Sequence, residues 1–244
     1  MLGDTSGRLD EGMKKIVVSL SETLAKEHDV LVLSPFGVFS PQFWHSIRNF
    51  KPEVVHYIPG PSLFSFIIMK VISLLNRSTV TAISITLVRN PRLTSAFARI
   101  FKPTIVFAQS TSMYEAVKMT GQRIVLLSVS GVDLQKFKPV SIEEKIRLRD
   151  KFNLGRQSYV ILHVGHIKSG RNLIALADIS KSIGNQVVVV GSTSTGTEKT
   201  LLRRLSKEGF YVISAYLRDI NELYNLADCY VCPVQRTNHS IQVA

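Results

Sequence analysis

The chain has 244 residues, room for one large or two small domains. A hydrophobic fraction of 45% can fill a core, and 30 Lys+Arg against 18 Asp+Glu give a net charge of +12 that favours anionic partners. Two cysteines exclude a disulfide scaffold. With no secretory signal and no apolar run of about 18 residues, the expectation is a cytoplasmic protein that does not span a membrane.

Met1–Arg8 is loop-like, with Gly3 and Gly7. From Glu11 to Ala25, Met13, Ile16, Val17, Leu20 and Leu24 recur at helical spacing. Val30–Leu33 follows as a short buried strand. A glycine loop, a helix and a strand make the second half of a βαβ unit, so the first strand is expected before Leu2 and counted as missing. A helix is predicted around Phe43–Phe50, with Trp44 and Phe50 as packing residues. Pro52–Ile58 is another buried strand, turned by Pro59-Gly60-Pro61. His56 near its end is a candidate catalytic residue or a core residue. Leu63–Leu75 is strongly apolar around Lys70 and too short to span a bilayer. It suits a helix packed on a sheet or one lying in a membrane interface.

Strands are then predicted at Thr79–Ile85, Thr104–Ala108 and Ile124–Leu127, and helices at Pro91–Phe101 and Ser112–Met119. From Val54 to Tyr114 there is no Asp or Glu, while Lys70, Arg77, Arg89, Arg92, Arg99 and Lys102 are present. That pattern fits a solvated basic face, or an anionic acceptor or membrane surface. Ser130–Pro139 has no regular period and links two domains, 1–139 and 140–244. Ile142–Phe152 is a charged helix. Beyond it lie strands at Gln186–Val190, Tyr211–Ile213 and Cys229–Cys232, and helices at Leu201–Lys207 and Ile220–Leu226, the last with Asp219 as its N-cap. Cys229 and Cys232 have C-x-x-C spacing, but i and i+3 on a strand face opposite sides, about 10 Å apart and too far for a bridge. The alternation of strand and helix implies an α/β fold of parallel sheets covered on both faces.

The chain is organised around Tyr159–Leu176, YVILHVGHIKSGRNLIAL. Tyr159–Val164 is a buried strand, Gly165 ends it, and a helix is expected to open at Leu173, Ile174 and Leu176. Between them His166, Lys168 and Arg171 put cationic groups on a glycine-bearing loop. Free backbone N–H groups and a helix dipole would meet there, a combination suited to phosphate. The spacing Gly165-x-x-x-x-Gly170-Arg171-Asn172 also approaches a P-loop, though it has arginine for lysine and asparagine for the magnesium-binding hydroxyl. A P-loop nucleotidase is therefore an alternative. A dinucleotide fingerprint would need glycine at Ile167.

Six stretches in order resemble the retaining GT-B glycosyltransferases of family 4, also called group 1. Gly3–Met13 is similar to the family's N-terminal glycine loop, Pro52–Pro61 to its "PDVVHxHxP" strand, and Ser130–Pro139 to its "NGVDxxxFxP" link. Ile161–Arg171 resembles the "ILxVGRLxxxKG" donor loop, Val187–Gly191 the "LxIVGxG" strand, and Leu223–Pro233 the "LxxxYxxADVxVxPS" segment. The resemblance implies two Rossmann-like domains facing across a cleft, the second incomplete, and transfer of a sugar from a nucleotide-sugar to an acceptor. It implies donor contacts at Gly165, His166, Lys168, Arg171, Gly191, Ser240 and Ile241, and an acceptor side at Gly7 and Arg8. No metal or other cofactor is expected. Arg171 stands where the family has its phosphate lysine.

The departures are specific. Ser84 stands where the family often has a histidine near the transferred sugar. Thr237 stands at the first glutamate of its Glu-x7-Glu motif, and the second would be residue 245. The chain is thus expected to be a fragment lacking both ends, and a non-catalytic binding subunit is the rival reading. The acceptor is expected to be anionic, lipid- or cell-envelope-linked, with peripheral contact at the inner face of the cell membrane and no nucleic acid.

Overall fold

The computed structural model describes residues 1–6, 12–85, 90–118, 123–127, 131–191 and 198–233. They fall into two units, one from Met1 to Gly131 and one beginning at Val132, so the division comes before the expected boundary at Pro139. The reason is local. Phe137 packs edge-on against Tyr224 at 5.7 Å, and Lys136 Nζ donates to Arg218 O at 3.3 Å, so the link is held by the second unit.

The first unit contains α1 (Gly12–Leu24), a 3-10 helix at Pro35–Phe39, α2 (Pro41–Phe50), β1 (Val54–Gly60), α3 (Leu63–Leu75), β2 (Val80–Ile85), α4 (Pro91–Phe101), β3 (Ile105–Ala108), α5 (Thr111–Lys118) and β4 (Arg123–Leu126). Strands β1 to β4 pair in parallel in that order, with His56 opposite Ala82, Ala82 opposite Ile105 and Ile105 opposite Arg123. The first strand, expected before Leu2, is represented by Leu2 itself, which bridges in parallel to Leu33 on one side and Tyr57 on the other. Leu2 N donates to His56 O at 2.7 Å, Ile58 N to Leu2 O at 2.8 Å, and Gly3 N to Leu33 O at 3.0 Å. The spatial order is therefore Leu33, Leu2, β1, β2, β3, β4.

Side chains alternate between the two faces of this sheet, as a period of two requires. Val55, Tyr57, Ile83, Ile85, Val106 and Ala108 form one core with Phe43 of α2, Phe66 and Met69 of α3, Ala98 of α4 and Val117 of α5. Ile58 on the other face packs with Ile16 and Val17 of α1. Gly3 is required there, because a Cβ would meet Val17 Cγ2 at 2.4 Å. Trp44 is a packing residue whose Nε1 donates to Val38 O at 2.8 Å.

The second unit contains α6 (Ile142–Lys151), β5 (Tyr159–Gly165), α7 (Ala177–Ser180), β6 (Asn185–Gly191), α8 (Lys199–Lys207), β7 (Tyr211–Ile213), α9 (Asn221–Leu226) and β8 (Cys229–Tyr230). All pairings are parallel in the order β7-β6-β5-β8. Ile161, Val187 and Val189 face Leu173, Leu176 and Leu205 on one side, while Val160, Leu162 and Val188 face Leu148, Leu223 and Leu226 on the other. The chain is thus α/β, with two Rossmann-like four-stranded parallel sheets. Two expectations fail in detail. The N-cap of α9 is Ile220 rather than Asp219, whose backbone oxygen instead accepts from Glu222 N at 3.0 Å. The expected Cys229–Cys232 strand shortens to β8, and the two cysteines form no disulfide.

So short a strand needs other support. Asp228, just before β8, accepts from Val160 N at 2.7 Å and donates its own N–H to Val160 O at 2.8 Å. Its carboxylate also takes Arg149 Nη2 and Lys145 Nζ from α6, both at 2.6 Å. Burial opposes ionisation of Asp228, but the Lys145 and Val160 hydrogen bonds and the Arg149 charge outweigh it and hold the pKa below the usual 3.8. This contribution to stability is fully present above pH 3.8 and is lost as pH falls through the lowered value. Asp228→Asn leaves Arg149, 7% exposed, without its counter-charge. It should cost about 2–3 kcal/mol, somewhat less than full burial of the pair would give. Urea unfolding followed by hydrogen exchange at the β5 and β8 amides reads this loss.

Candidate functional site

In the second sheet the chain runs outward through β5, β6 and β7, then returns to place β8 on the free side of β5. The strand order thus reverses between β5 and β8, the kind of switch point at whose carboxyl ends parallel α/β sheets bind ligands in a crevice. The loop after β5 carries Gly165, His166, Lys168 and Arg171, so the topology brings the expected donor residues to this point. Ile167 anchors the loop at 2% exposure. Its side chain lies over Gly191, the last residue of β6, where a Cβ would meet Ile167 Cδ1 at 2.6 Å. The missing Cβ of Gly191 thus lets the loop close down on the end of β6.

The expected α-helix at Leu173 is replaced by two 3-10 turns, Ser169–Arg171 and Leu173–Leu176, before the four-residue α7. Asn172, left-handed at φ 53°, separates them. The loop amides are used internally. Lys168 N donates to His166 O at 3.0 Å, Arg171 N to Lys168 O at 2.9 Å, and Asn172 N to Ser169 O at 3.1 Å. Ser169 gives both its N–H and its hydroxyl to Glu198 Oε1, at 3.2 and 3.3 Å. The ring of free amides and the helix dipole that define a P-loop are therefore not assembled here, which tells against the nucleotidase alternative. The positive charge of the loop comes from side chains.

His163 escapes a sequence reading because it looks like one more position in a buried strand. It lies wholly buried at the carboxyl end of β5, and its Nδ1 donates to Val231 O, just past β8, at 2.9 Å. Burial drives its pKa down, the Val231 bond partly restores it, and the charge of Arg171 lowers it further. The ring is neutral, with its proton on Nδ1, so Nε2 is a buried acceptor without a partner among the described residues. Tyr230 stacks on His163 at 6.3 Å and on Tyr224 at 5.7 Å. Its phenol is pushed up by burial and by Cys232, while Arg171 pulls it down. The guanidinium of Arg171 thus acts on both aromatic residues at the crevice floor.

In the first unit the corresponding reversal lies between Leu2 and β1. The loop there holds Asp4 and Ser6, with Asp4 Oδ1 accepting from the Ser6 hydroxyl at 2.6 Å and Lys14 Nζ donating to Ser6 O at 2.7 Å. The expected acceptor-side residues Gly7 and Arg8 lie outside the described residues, as do Thr237, Ser240 and Ile241. His56 and Ser84 come together on β1 and β2, with Nε2 and Oγ 2.7 Å apart. Ser84 is fully buried, and the His56 ring sits 5.4 Å from that of Phe107. The pair thus satisfies two polar groups inside the sheet. Among the described residues no cluster of three His, Cys, Asp or Glu could hold a metal.

No protein-family model matches the chain. No curated protein matches it. Among solved structures, Anabaena HepE in complex with UDP and glucose is similar, with a TM-score of 0.68, 14% identity, and coverage of 94% of this chain and 72% of that one. The same protein in complex with UDP-glucose gives 0.66 at 15% identity, covering 94% and 72%. A glycosyltransferase from Rickettsia africae gives 0.65 at 17% identity, covering 98% and 72%. At these identities the likeness is one of fold. The chain carries the two-unit Rossmann-like α/β architecture found in these proteins.

Burial, reinforced by the charge of the chain's amino terminus, pushes the His56 pKa from 6.5 to about 4. The folded protein therefore holds His56 neutral where the unfolded chain protonates it. Stability should be unaffected above pH 6.5 and fall by about 3 kcal/mol as pH drops towards 4. Urea midpoints measured across that range, beside His56→Gln, check it: the variant should lack this part of the slope.

Proposed function

We propose that the chain transfers a sugar from a nucleotide-sugar to an acceptor. The observation that carries this reading is the position of Arg171, a guanidinium felt by His163 and Tyr230 at the β5/β8 crevice of a Rossmann-like sheet. The similar folds of HepE, solved with UDP-glucose, and of the Rickettsia glycosyltransferase support it. In this reading Arg171, Lys168 and His166 hold the donor diphosphate. Gly165 and Gly191 let the backbone close around it, and Ser240 and Ile241 supply backbone N–H groups. Gly7 and Arg8 border the acceptor in the first unit. The finer assignment is to the GT-B, family 4 (group 1) enzymes, with hexosyl transfer, retained anomeric configuration and no metal.

The chemistry follows from charge. Cleaving the sugar–phosphate bond leaves negative charge on the departing diphosphate, and donors fixed beforehand lower that barrier more than mobile water can. Arginine suits the position because its planar fork can hold two phosphate oxygens at once. A second reading, a non-catalytic subunit that binds the donor without turnover, is favoured by Ser84, which is sealed beneath His56 where the family often has a histidine.

Arg171→Ala should weaken UDP binding by at least about 1.5 kcal/mol, the low end for a hydrogen bond to a charged group. Isothermal calorimetry with UDP measures it, and unchanged affinity removes Arg171 from the site. Release of UDP from UDP-glucose by the unmodified chain supports transfer. Tight UDP binding without release selects the non-catalytic reading.

A further inference from the structure

Helix α3 is apolar on both of its faces. Phe66, Ile68, Met69 and Ile72 are buried against the sheet. Leu63, Ile67, Val71, Leu74 and Leu75 point the other way and are exposed, Leu74 at 63% and Leu75 at 68%. At 100° per residue these five fall within one third of the helix circumference, so they form a stripe rather than scattered positions. The stripe continues at its N-terminal end. Phe64 stacks with Phe36 and Phe39 of the preceding 3-10 helix at 6.3 and 6.0 Å, and those two rings are 72% and 83% exposed. The helix start is held by its own cap, with Ser65 N donating to Ser62 Oγ at 3.0 Å and Ser62 N to Ser65 Oγ at 2.9 Å.

The neighbouring helix sets the chemistry of what covers this stripe. Helix α4 packs beside α3, with Phe97 against Phe66 at 6.3 Å. Its outward residues interleave cations with apolar groups, Arg92 beside Leu93 and Arg99 beside Ile100, all exposed. Lys70 and Arg77 flank the α3 stripe itself, and no acid occurs anywhere between Val54 and Tyr114. A soluble helix that only faced water would carry polar residues outward, and a surface for an ordinary protein partner would carry both signs of charge. An apolar stripe with aromatic rings at one end, Lys70 and Arg77 on its own segment and the arginines of α4 beside it is complementary to an anionic lipid surface. Apolar groups enter the acyl boundary there, while arginine and lysine reach back to phosphates. A two-fold contact between copies through this face would instead press like charges together.

We propose that the α3–α4 face, with the Phe36–Phe39 turn, docks this protein on an anionic bilayer with α3 lying in the plane of the interface. The proposal is independent of the glycosyl-transfer reading, because neither Arg171 nor UDP binding enters it. The test is flotation of the purified chain with vesicles of phosphatidylcholine alone and of phosphatidylcholine containing one-third phosphatidylglycerol. Binding is expected only to the second, and it should weaken with salt. Arg92→Gln and Arg99→Gln should each raise the lipid concentration for half-binding about fivefold. The double variant Ile67→Ser/Leu74→Ser should abolish flotation and leave the thermal midpoint unchanged, since both side chains are already exposed. No flotation with anionic vesicles overturns the proposal, as does flotation that these variants leave untouched. A concentration-dependent dimer dissociated by the serine variant assigns the stripe to a second copy and overturns it equally.

Discussion

The carboxylate of Asp228 is the contact on which the crevice of the second unit depends. Strand β8 has two residues, and a ladder that short cannot hold it against β5. Asp228 extends the pairing through its side chain to Val160 N, and α6 neutralises it with Arg149 and Lys145. One carboxylate thereby joins both strands that border the crevice and the helix beneath them. The charge of Arg149 can be buried here because Asp228 faces it and the backbone oxygens of Leu226 and Arg156 accept its other N–H groups.

The same economy of polar groups marks the rest of the protein. His56 and Ser84 satisfy one another inside the first sheet, and His163 is tied by Nδ1 to the backbone beyond β8. The His163 Nε2 differs, because it is buried without a partner among the described residues and Arg171 acts on the same ring. A buried acceptor left without a donor costs free energy, which is why such atoms concentrate where ligands arrive. The positive charge of the chain is divided between two places. One is a small cluster on the β5 loop, proposed to hold a diphosphate, and the other is the acid-free face of α3 and α4, proposed to meet an extended anionic surface.

Much of this was legible in the residues. Strand and helix alternate with clear periods, and the strands are rich in valine and isoleucine, so a parallel α/β fold followed directly. The order of the motifs pointed to the loop after β5, on which Arg171 lies. The errors have physical causes. Leu173, Ile174 and Leu176 look like a helix start, but left-handed Asn172 and the tight packing of Ile167 over Gly191 force 3-10 turns instead. Asp219 has the chemistry of an N-cap, yet Ile220 sits there, because the helix start is set by how Leu223 and Leu226 bury.

By itself, then, the sequence determined the class of fold, the cationic loop after β5 and the absence of acid between Val54 and Tyr114. These are local or compositional properties, carried by period and charge. Only the tertiary structure decided that β8 returns beside β5, that His163 and Arg171 act at one point, and that α3 shows an apolar stripe to solvent as well as to the sheet. Strand order and the free face of a helix depend on contacts between residues far apart in the chain. A helix apolar all round reads the same whether one face or both are covered.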